Sequence, residues 1–252
     1  MTHDHKPAAA ESATEPLESL EAHEAHHAHD APAATEESPF GLQYWEDRYS
    51  APGLAWSGNP NPVLVTEATP LPSGRALDIG SGEGADAFWL ASQGWSVTGV
   101  DISVNALDKS KAAAESLDQT AAARIQWEQH DLTSWLPSPR SYDLVSSQFM
   151  HLPEPTRSTL FRGLAAAVAP GGTLLIVAHD VSGLDEADHH AHLTELMFSV
   201  DDVLAAIDGE NLTVEVAESR EREAAPATGE TRMRDVVVRA TRTAAAVASS
   251  TT

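Results

Sequence analysis

The chain contains no cysteine in its 252 residues. That excludes disulfides, thiolate nucleophiles, Cys-ligated zinc and iron–sulfur clusters. Basic residues are scarce: 15 Lys and Arg stand against 38 Asp and Glu, a net charge of −23. A surface of that sign repels phosphate backbones, so no nucleic-acid partner is expected. Long apolar runs are missing as well. No stretch approaches the ~20 apolar residues that span a bilayer, and the N-terminus has no signal-peptide core. These absences predict a soluble, cytoplasmic protein without a membrane partner. What is present suffices for a core: 42% of residues are hydrophobic, enough for one large domain without metal or disulfide staples.

Residues 1–38 are compositionally separate. They hold ten alanines, six of the twelve histidines, nine acids and one lysine. Leu17 and Leu20 are too little apolar surface to offset the entropy of ordering the segment. A disordered Ala/Glu/His-rich tail is therefore expected there, and a frayed end at 244–252. Between these, apolar runs alternate with helical patterns. Strands are predicted at 75–79, 95–100, 124–128, 142–146 and 173–178, and helices at 85–93, 104–117, 155–168 and 200–207. Ser103 is placed to cap the second of these helices, Gly94 to stop the first, and Pro170-Gly171-Gly172 to end the third. Two further β-rich runs, 212–217 and 233–240, are joined by a polar stretch without a convincing helix, which predicts a closing antiparallel hairpin. The expected fold is α/β and doubly wound: a mostly parallel seven-stranded sheet with a reversed last strand.

The chemistry concentrates in Asp78-Ile79-Gly80-Ser81-Gly82-Glu83-Gly84. A glycine-rich turn from strand to helix lets the backbone approach a ligand, and the helix N-terminus offers unpaired N–H donors. About twenty residues on, Asp101 ends the second strand, where a carboxylate accepts from ribose hydroxyls or caps the next helix. A nicotinamide dinucleotide and another adenosine ligand both fit this pattern. Asp78 separates them, because a carboxylate beside the first glycine repels a pyrophosphate and tolerates a cationic amino-acid tail.

These motifs, in this order, resemble the class I S-adenosylmethionine-dependent methyltransferases, from about residue 75 to 240. The resemblance implies a Rossmann-like methyltransferase fold over 39–243, with S-adenosyl-L-methionine as cofactor. Asp78, Gly80 and Gly82 look like the family's nucleoside-binding loop, and Asp101 and Ile102 like its ribose-binding strand end. His130-Asp131-Leu132 resembles the segment whose acidic side chain receives the adenine amino group, which implicates Asp131 and Leu132. Tyr142-Asp143-Leu144-Val145 resembles the family's fourth strand. Upstream, residues 44–49 (YWEDRY) and 55–61 (AWSGNPN) resemble the aromatic N-terminal segment of the small thiopurine and tellurite-resistance type. There a cover segment, 39–72, folds over the cofactor, with Trp45 and Trp56 above it or merely packing the cover onto the sheet.

A small-molecule acceptor follows from what is missing. The stretch after the fourth strand has no Asn-Pro-Pro-Tyr motif of amino-methylating DNA enzymes, and without cysteine the covalent route to pyrimidine C5 is closed. The N-terminal resemblance favours a thiol, selenium or tellurium nucleophile, with oxygen and nitrogen acceptors open. His151, just past the fourth strand, is the candidate general base, with a structural cap as its alternative role. Two histidine groups, at 23–29 and 185–192, are each open to metal or to plain solvation, and no metal site is assigned. The rival functions are an NAD-dependent oxidoreductase on the same sheet and a non-catalytic cofactor- or metal-binding protein.

Overall fold

The computed structural model describes residues 41–181, 196–221 and 234–244. All lie in the larger of the two units into which the chain divides, Phe40–Thr252. The expectations for residues 1–38, for the histidines of 185–192 and for 245–252 fall outside the described residues.

Two short helices come first, α1 (Leu42–Ser50) and α2 (Pro62–Ala68). The alternating part opens with β1 (Arg75–Ile79), α3 (Ala85–Ser92), β2 (Ser96–Asp101), α4 (Val104–Leu117), α5 (Gln119–Ala122) and β3 (Ile125–Gln129). It continues with β4 (Tyr142–Gln148), α6 (Thr156–Ala167), β5 (Val168–His179), α7 (Val200–Ile207), β6 (Leu212–Glu221) and β7 (Arg234–Arg242). Among the described residues the seven strands form one sheet in the order β3-β2-β1-β4-β5-β7-β6. β1 pairs in parallel with β2 and β4, whereas β7 lies antiparallel between β5 and β6. The closing hairpin and the reversed last strand are as expected.

Alternation along each strand sorts side chains between two layers. Leu77, Ile79, Val145, Leu174 and Ile176 pack with Leu160, Phe161 and Leu164 of α6 and with Val203 and Ile207 of α7. Ala76, Leu144, Leu175 and Val177 pack with Leu64 of α2, Leu90 of α3 and Ala121 of α5. Asp78 falls between Leu77 and Ile79 and so shares the face of Ala76, toward α3. A carboxylate therefore enters a largely apolar layer, cross-strand from the buried Ser146.

The local signals act as expected at both marked ends. The Ser103 hydroxyl accepts from Ala106 N at 3.1 Å, and Gly94 takes φ +94° after α3. α6 ends at Ala167, one residue short of the expected bound, but β5 begins at Val168 and not at 173. Val168 already pairs with Tyr142, and residues 169–172 form an irregularity before Thr173 resumes the ladder opposite Leu144. The proline disfavours helix at the residue before it, so the chain turns extended ahead of the ring. The helices α2 and α5 have no counterpart in the pattern-based reading. In α2, Asn61 Oδ1 caps Val63 N at 2.8 Å and Pro62 takes the first turn, so the Asn59-Pro60-Asn61-Pro62 run is a helix start.

α2 is fastened to the far strands through charge. Glu67 is only 6% exposed. Its carboxylate accepts from Arg220 Nη2 at 2.6 Å and from Arg239 Nη1 at 2.7 Å. Removing the carboxylate leaves two partly desolvated guanidiniums, Arg220 with Glu218 alone and Arg239 with Glu215 alone as counter-charge. Glu67→Ala is expected to cost about 2–3 kcal/mol, less than a fully buried pair because both arginines keep some surface in water. A lowered urea midpoint at unchanged m-value is the reading that checks it.

Candidate active site

The sheet reverses its winding between β1 and β4, and in such sheets ligands bind past the strand ends at that point. Three glycines follow β1, with φ of +66° at Gly80, +51° at Gly82 and +82° at Gly84. L-residues avoid this left-handed region, so the loop's path depends on glycine. The loop is pinned to β2: Ser81 N donates to Val100 O at 2.9 Å and Gly82 N to Asp101 Oδ2 at 2.8 Å. The three glycines do different things. A Cβ on Gly84 would stand 2.7 Å from the Trp127 ring, so that glycine is required by packing. A Cβ on Gly82 would meet Tyr49 Oη at 3.0 Å, and one on Gly80 would collide with Met150 Cε. The outer face of the loop is thus lined by Tyr49 on one side and Met150 on the other.

Three carboxylates converge beneath it. Asp78 is 2% exposed and its Oδ2 has no hydrogen-bond partner. Burial, with Asp86 and Asp101 close by, raises its pKa well above the ordinary carboxylate range. Asp86, on the first turn of α3, accepts from Asn61 N at 2.6 Å. Burial pushes it up to about 6. Asp101, 7% exposed, accepts from Ser103 N at 2.9 Å as well as from Gly82 N, and burial raises it too. It therefore serves as the joint between loop, strand and α4, and its oxygens retain lone pairs for a further donor.

The remaining expected contacts are placed unequally. Ile102 is half-buried beside Asp101. Asp131, just past the end of β3, is exposed, with Oδ1 engaged by Thr133 N and Oγ1 at 2.9 and 2.7 Å. Leu132 turns the other way, into the core at 8% exposure. Trp56 donates from Nε1 to Tyr49 Oη at 3.0 Å, and the Arg48 guanidinium lies 4.2 Å over its ring. Trp45 is one layer back, stacked on Tyr49 at 5.9 Å. So Trp45 supports the tyrosine that faces Gly82. Tyr49, buried at 3%, is the cover residue nearest the loop.

Three charged side chains that the sequence reading did not single out hold this cover down. Glu83, inside the glycine loop, accepts from Ala55 N at 2.9 Å and Trp56 N at 3.2 Å. Lys109 of α4 bridges Glu83 to the carbonyls of Ala51 and Gly53. Glu46 of α1 caps α4, accepting from Val104 N at 2.6 Å. Only the acidic residue three places into a glycine turn, Glu83, carried a hint, since its neighbours left it nothing local to bond.

Across the switch point, Phe149 adopts φ +53° directly after β4. A bulky residue in this region is strained, and such strain gathers at functional sites. It sends Met150 over Gly80 and places His151 beside His179, the last residue of β5, with the rings stacked 5.2 Å apart. His151 Nε2 is buried without a partner. Burial first, then the neighbouring His179, pushes its pKa down to about 4.

Residues 76–172, which carry the loop and the ends of β1 to β4, match the family described as a methyltransferase domain. A trans-aconitate 2-methyltransferase of Sinorhizobium medicae is 33% identical over 129 residues, 50% of this chain and 46% of that protein. A probable thiol methyltransferase 2 of Arabidopsis thaliana is 32% identical over 136 residues, 52% of this chain and 59% of that one. The chain is thus similar to methyltransferase domains over residues 76–172. It spans about half the length of the curated relatives it matches. Haemonchus contortus phosphoethanolamine N-methyltransferase 2, in complex with S-adenosyl-L-methionine, superposes with a TM-score of 0.59 at 18% identity, over 79% of this chain and 56% of that one. That likeness bears on the fold alone.

The residues of the domain fit a cationic nucleoside. A buried carboxylate oxygen without a partner, under a left-handed glycine turn, suits an ammonium group. It would oppose a pyrophosphate. Without such a cation the trio Asp78, Asp86 and Asp101 burdens the fold as pH rises. Asp86 binds its proton more tightly folded than unfolded, so stability falls as pH rises from about 4 through 6. Asp86→Asn keeps the acceptor for Asn61 N and removes that charge. It is expected to stabilise the ligand-free protein by about 1–3 kcal/mol at pH 7 and hardly at all near pH 4. Denaturant melts of both proteins across that range check the difference.

Proposed function

We propose that the chain moves a methyl group from S-adenosylmethionine onto a small-molecule nucleophile. The observation that carries this reading is the orphaned, buried Asp78 carboxylate under the left-handed Gly80 turn. Asp78 would hold the amino group of the cofactor's amino-acid tail, Asp101 its ribose, and Asp131 its adenine amino group. The loop at Gly80 and Gly82 would pass beneath it. When bound, the cofactor supplies an electrophilic methyl carbon on a positively charged sulfur. The chain's own task is alignment and the exclusion of water. Tyr49 and Trp56 close one side of the loop and Met150 the other. Glu83 and Lys109 keep the cover seated.

The acceptor is read as small. The net charge of −23 disfavours nucleic acid, and among the described residues no helix is long and apolar enough to cross a membrane. A thiol, selenium or tellurium nucleophile is favoured, with oxygen and nitrogen open. A relative named as a probable thiol methyltransferase supports the former, and one named for trans-aconitate keeps the latter in view.

Calorimetric titration with S-adenosylmethionine, S-adenosylhomocysteine and NAD tests the reading. Micromolar binding of the first two and none of NAD is expected; an NAD isotherm with silence from the adenosyl ligands would reverse it. Asp78→Asn is expected to weaken S-adenosylmethionine by about 10- to 100-fold through loss of a charge-assisted bond. Its isotherm should change far less for 5′-methylthioadenosine, which lacks the amino-acid tail. Equal losses for both ligands would move Asp78 away from the tail.

A further inference from the structure

Two buried side-chain oxygens at the sheet's switch point have no hydrogen-bond partner, and they belong to neighbouring strands. One is Oδ2 of Asp78 on β1; the other is Oε1 of Gln148, the last residue of β4. Asp78 is the ladder partner of Ser146, and the pairing ends one step later with Ile79 opposite Ser147. Gln148 follows that last pair on β4, as Gly80 follows it on β1. Residues two apart on a strand share a face, so Asp78, Ser146 and Gln148 project from the same side of the sheet. As the shared face requires, Gln148 Nε2 donates to Ser146 Oγ at 3.0 Å. That bond engages the nitrogen of the amide and leaves its oxygen as the unmatched acceptor. With strands about 4.8 Å apart, carboxylate and amide flank one hydroxyl that is wholly buried.

The charged groups near the pair are themselves acceptors. Asp86 and Asp101 act on Asp78, and they accept from Asn61 N, Gly82 N and Ser103 N. Glu83 is engaged by the backbone of residues 55 and 56 and by Lys109. On the other side of Gln148, β5 presents Val177, which has no polar side-chain atom. Two unmatched acceptors, one of them a carboxylate, are satisfied by a group with several N–H donors and a positive charge. A hydroxyl brings one donor and a carboxylate brings none. A primary ammonium brings three, diverging from one atom, enough to reach both oxygens.

We propose that Gln148 Oε1 and Asp78 Oδ2 together hold the α-ammonium of the cofactor's amino-acid tail, with Ser146 setting the orientation of the amide. This rests on the methyltransferase reading and adds to it a neutral anchor on β4. The two anchors do different things. Asp78 supplies the charge. Gln148 supplies a directed acceptor without a further negative charge, at a place where three carboxylates already converge. Gln148 is also the residue before Phe149, Met150 and His151, so the grip fixes the tail against the strand that leads into the acceptor side. Ser146 is a positioning residue, since it acts through the amide.

The test is calorimetric and uses five ligands on the intact chain. S-adenosylmethionine, S-adenosylhomocysteine and 5′-(3-aminopropylthio)-5′-deoxyadenosine carry the ammonium. 5′-(3-Carboxypropylthio)-5′-deoxyadenosine keeps a carboxylate and lacks the ammonium, and 5′-methylthioadenosine lacks both. Gln148→Leu is expected to weaken the three ammonium ligands about 10-fold and to leave the other two within about 2-fold. Ser146→Ala, which frees the amide to turn, should act in the same direction and less. Unchanged affinity for the ammonium ligands overturns the proposal. Equal losses for all five overturn it too, because the amide then supports the loop and does not touch the tail. A urea midpoint near that of the unaltered protein shows the leucine variant folded; if it is not, Gln148→Met takes its place in the same series. Silence of all five ligands on the unaltered protein is a separate result and strikes the underlying reading instead.

Discussion

A carboxylate held in a protein interior without a counter-charge is tolerated only where something else requires it, and Asp78 is held that way. It lies at the one point where the sheet reverses its winding, with Asp86 and Asp101 adding like charge around it. Much of the neighbourhood is arranged to keep these three groups in place. Asp101 ties the glycine loop to β2 and α4 through backbone amides. Asp86 ties the start of α2 to α3 through Asn61 N. Of the three, Asp78 is the one with a fully buried oxygen that has no hydrogen-bond partner.

The cover follows from the same loop. Glu83 belongs to the glycine turn, yet both its oxygens are spent on the backbone of residues 55 and 56. The segment carrying Tyr49 and Trp56 is thereby anchored to the turn it shields, and Lys109 and Glu46 anchor it to α4. These bonds join backbone to charge at partly buried positions, where each is worth more than on the open surface. The cover's position and the loop's conformation thus depend on each other.

The strand and helix pattern was largely readable. β-branched and apolar runs such as 75–79 and 142–146 became β1 and β4, and 104–117 and 200–207 became α4 and α7 with the expected bounds. Their signals are local: composition, a capping serine, a left-handed glycine. The short helices α2 and α5 were not readable, because one or two turns carry too little periodicity to register. α2 draws on distant partners, as Glu67 shows with Arg220 and Arg239. In the site, Asp78, Gly80, Gly82 and Asp101 stood out because a strand–turn–helix motif keeps them near one another in sequence. Glu83 was in plain sight without a visible partner, since that partner lies 28 residues away.

The amino-acid sequence by itself determined the sheet, its reversed last strand, the glycine turn and the acidic residue beside it. All of these arise from interactions between near neighbours or from the period of apolar residues. Only the tertiary structure decided which histidine has a carboxylate behind it. His151 and His179 are 28 positions apart, and Asp235 lies farther along on β7. Nothing in spacing or composition separates one imidazole from the other. The difference is made by burial around His151, which disfavours its charged form, and by antiparallel pairing of β5 with β7, which sets Asp235 against His179. Desolvation and strand register are properties of the folded sheet, and they exist only once it has closed.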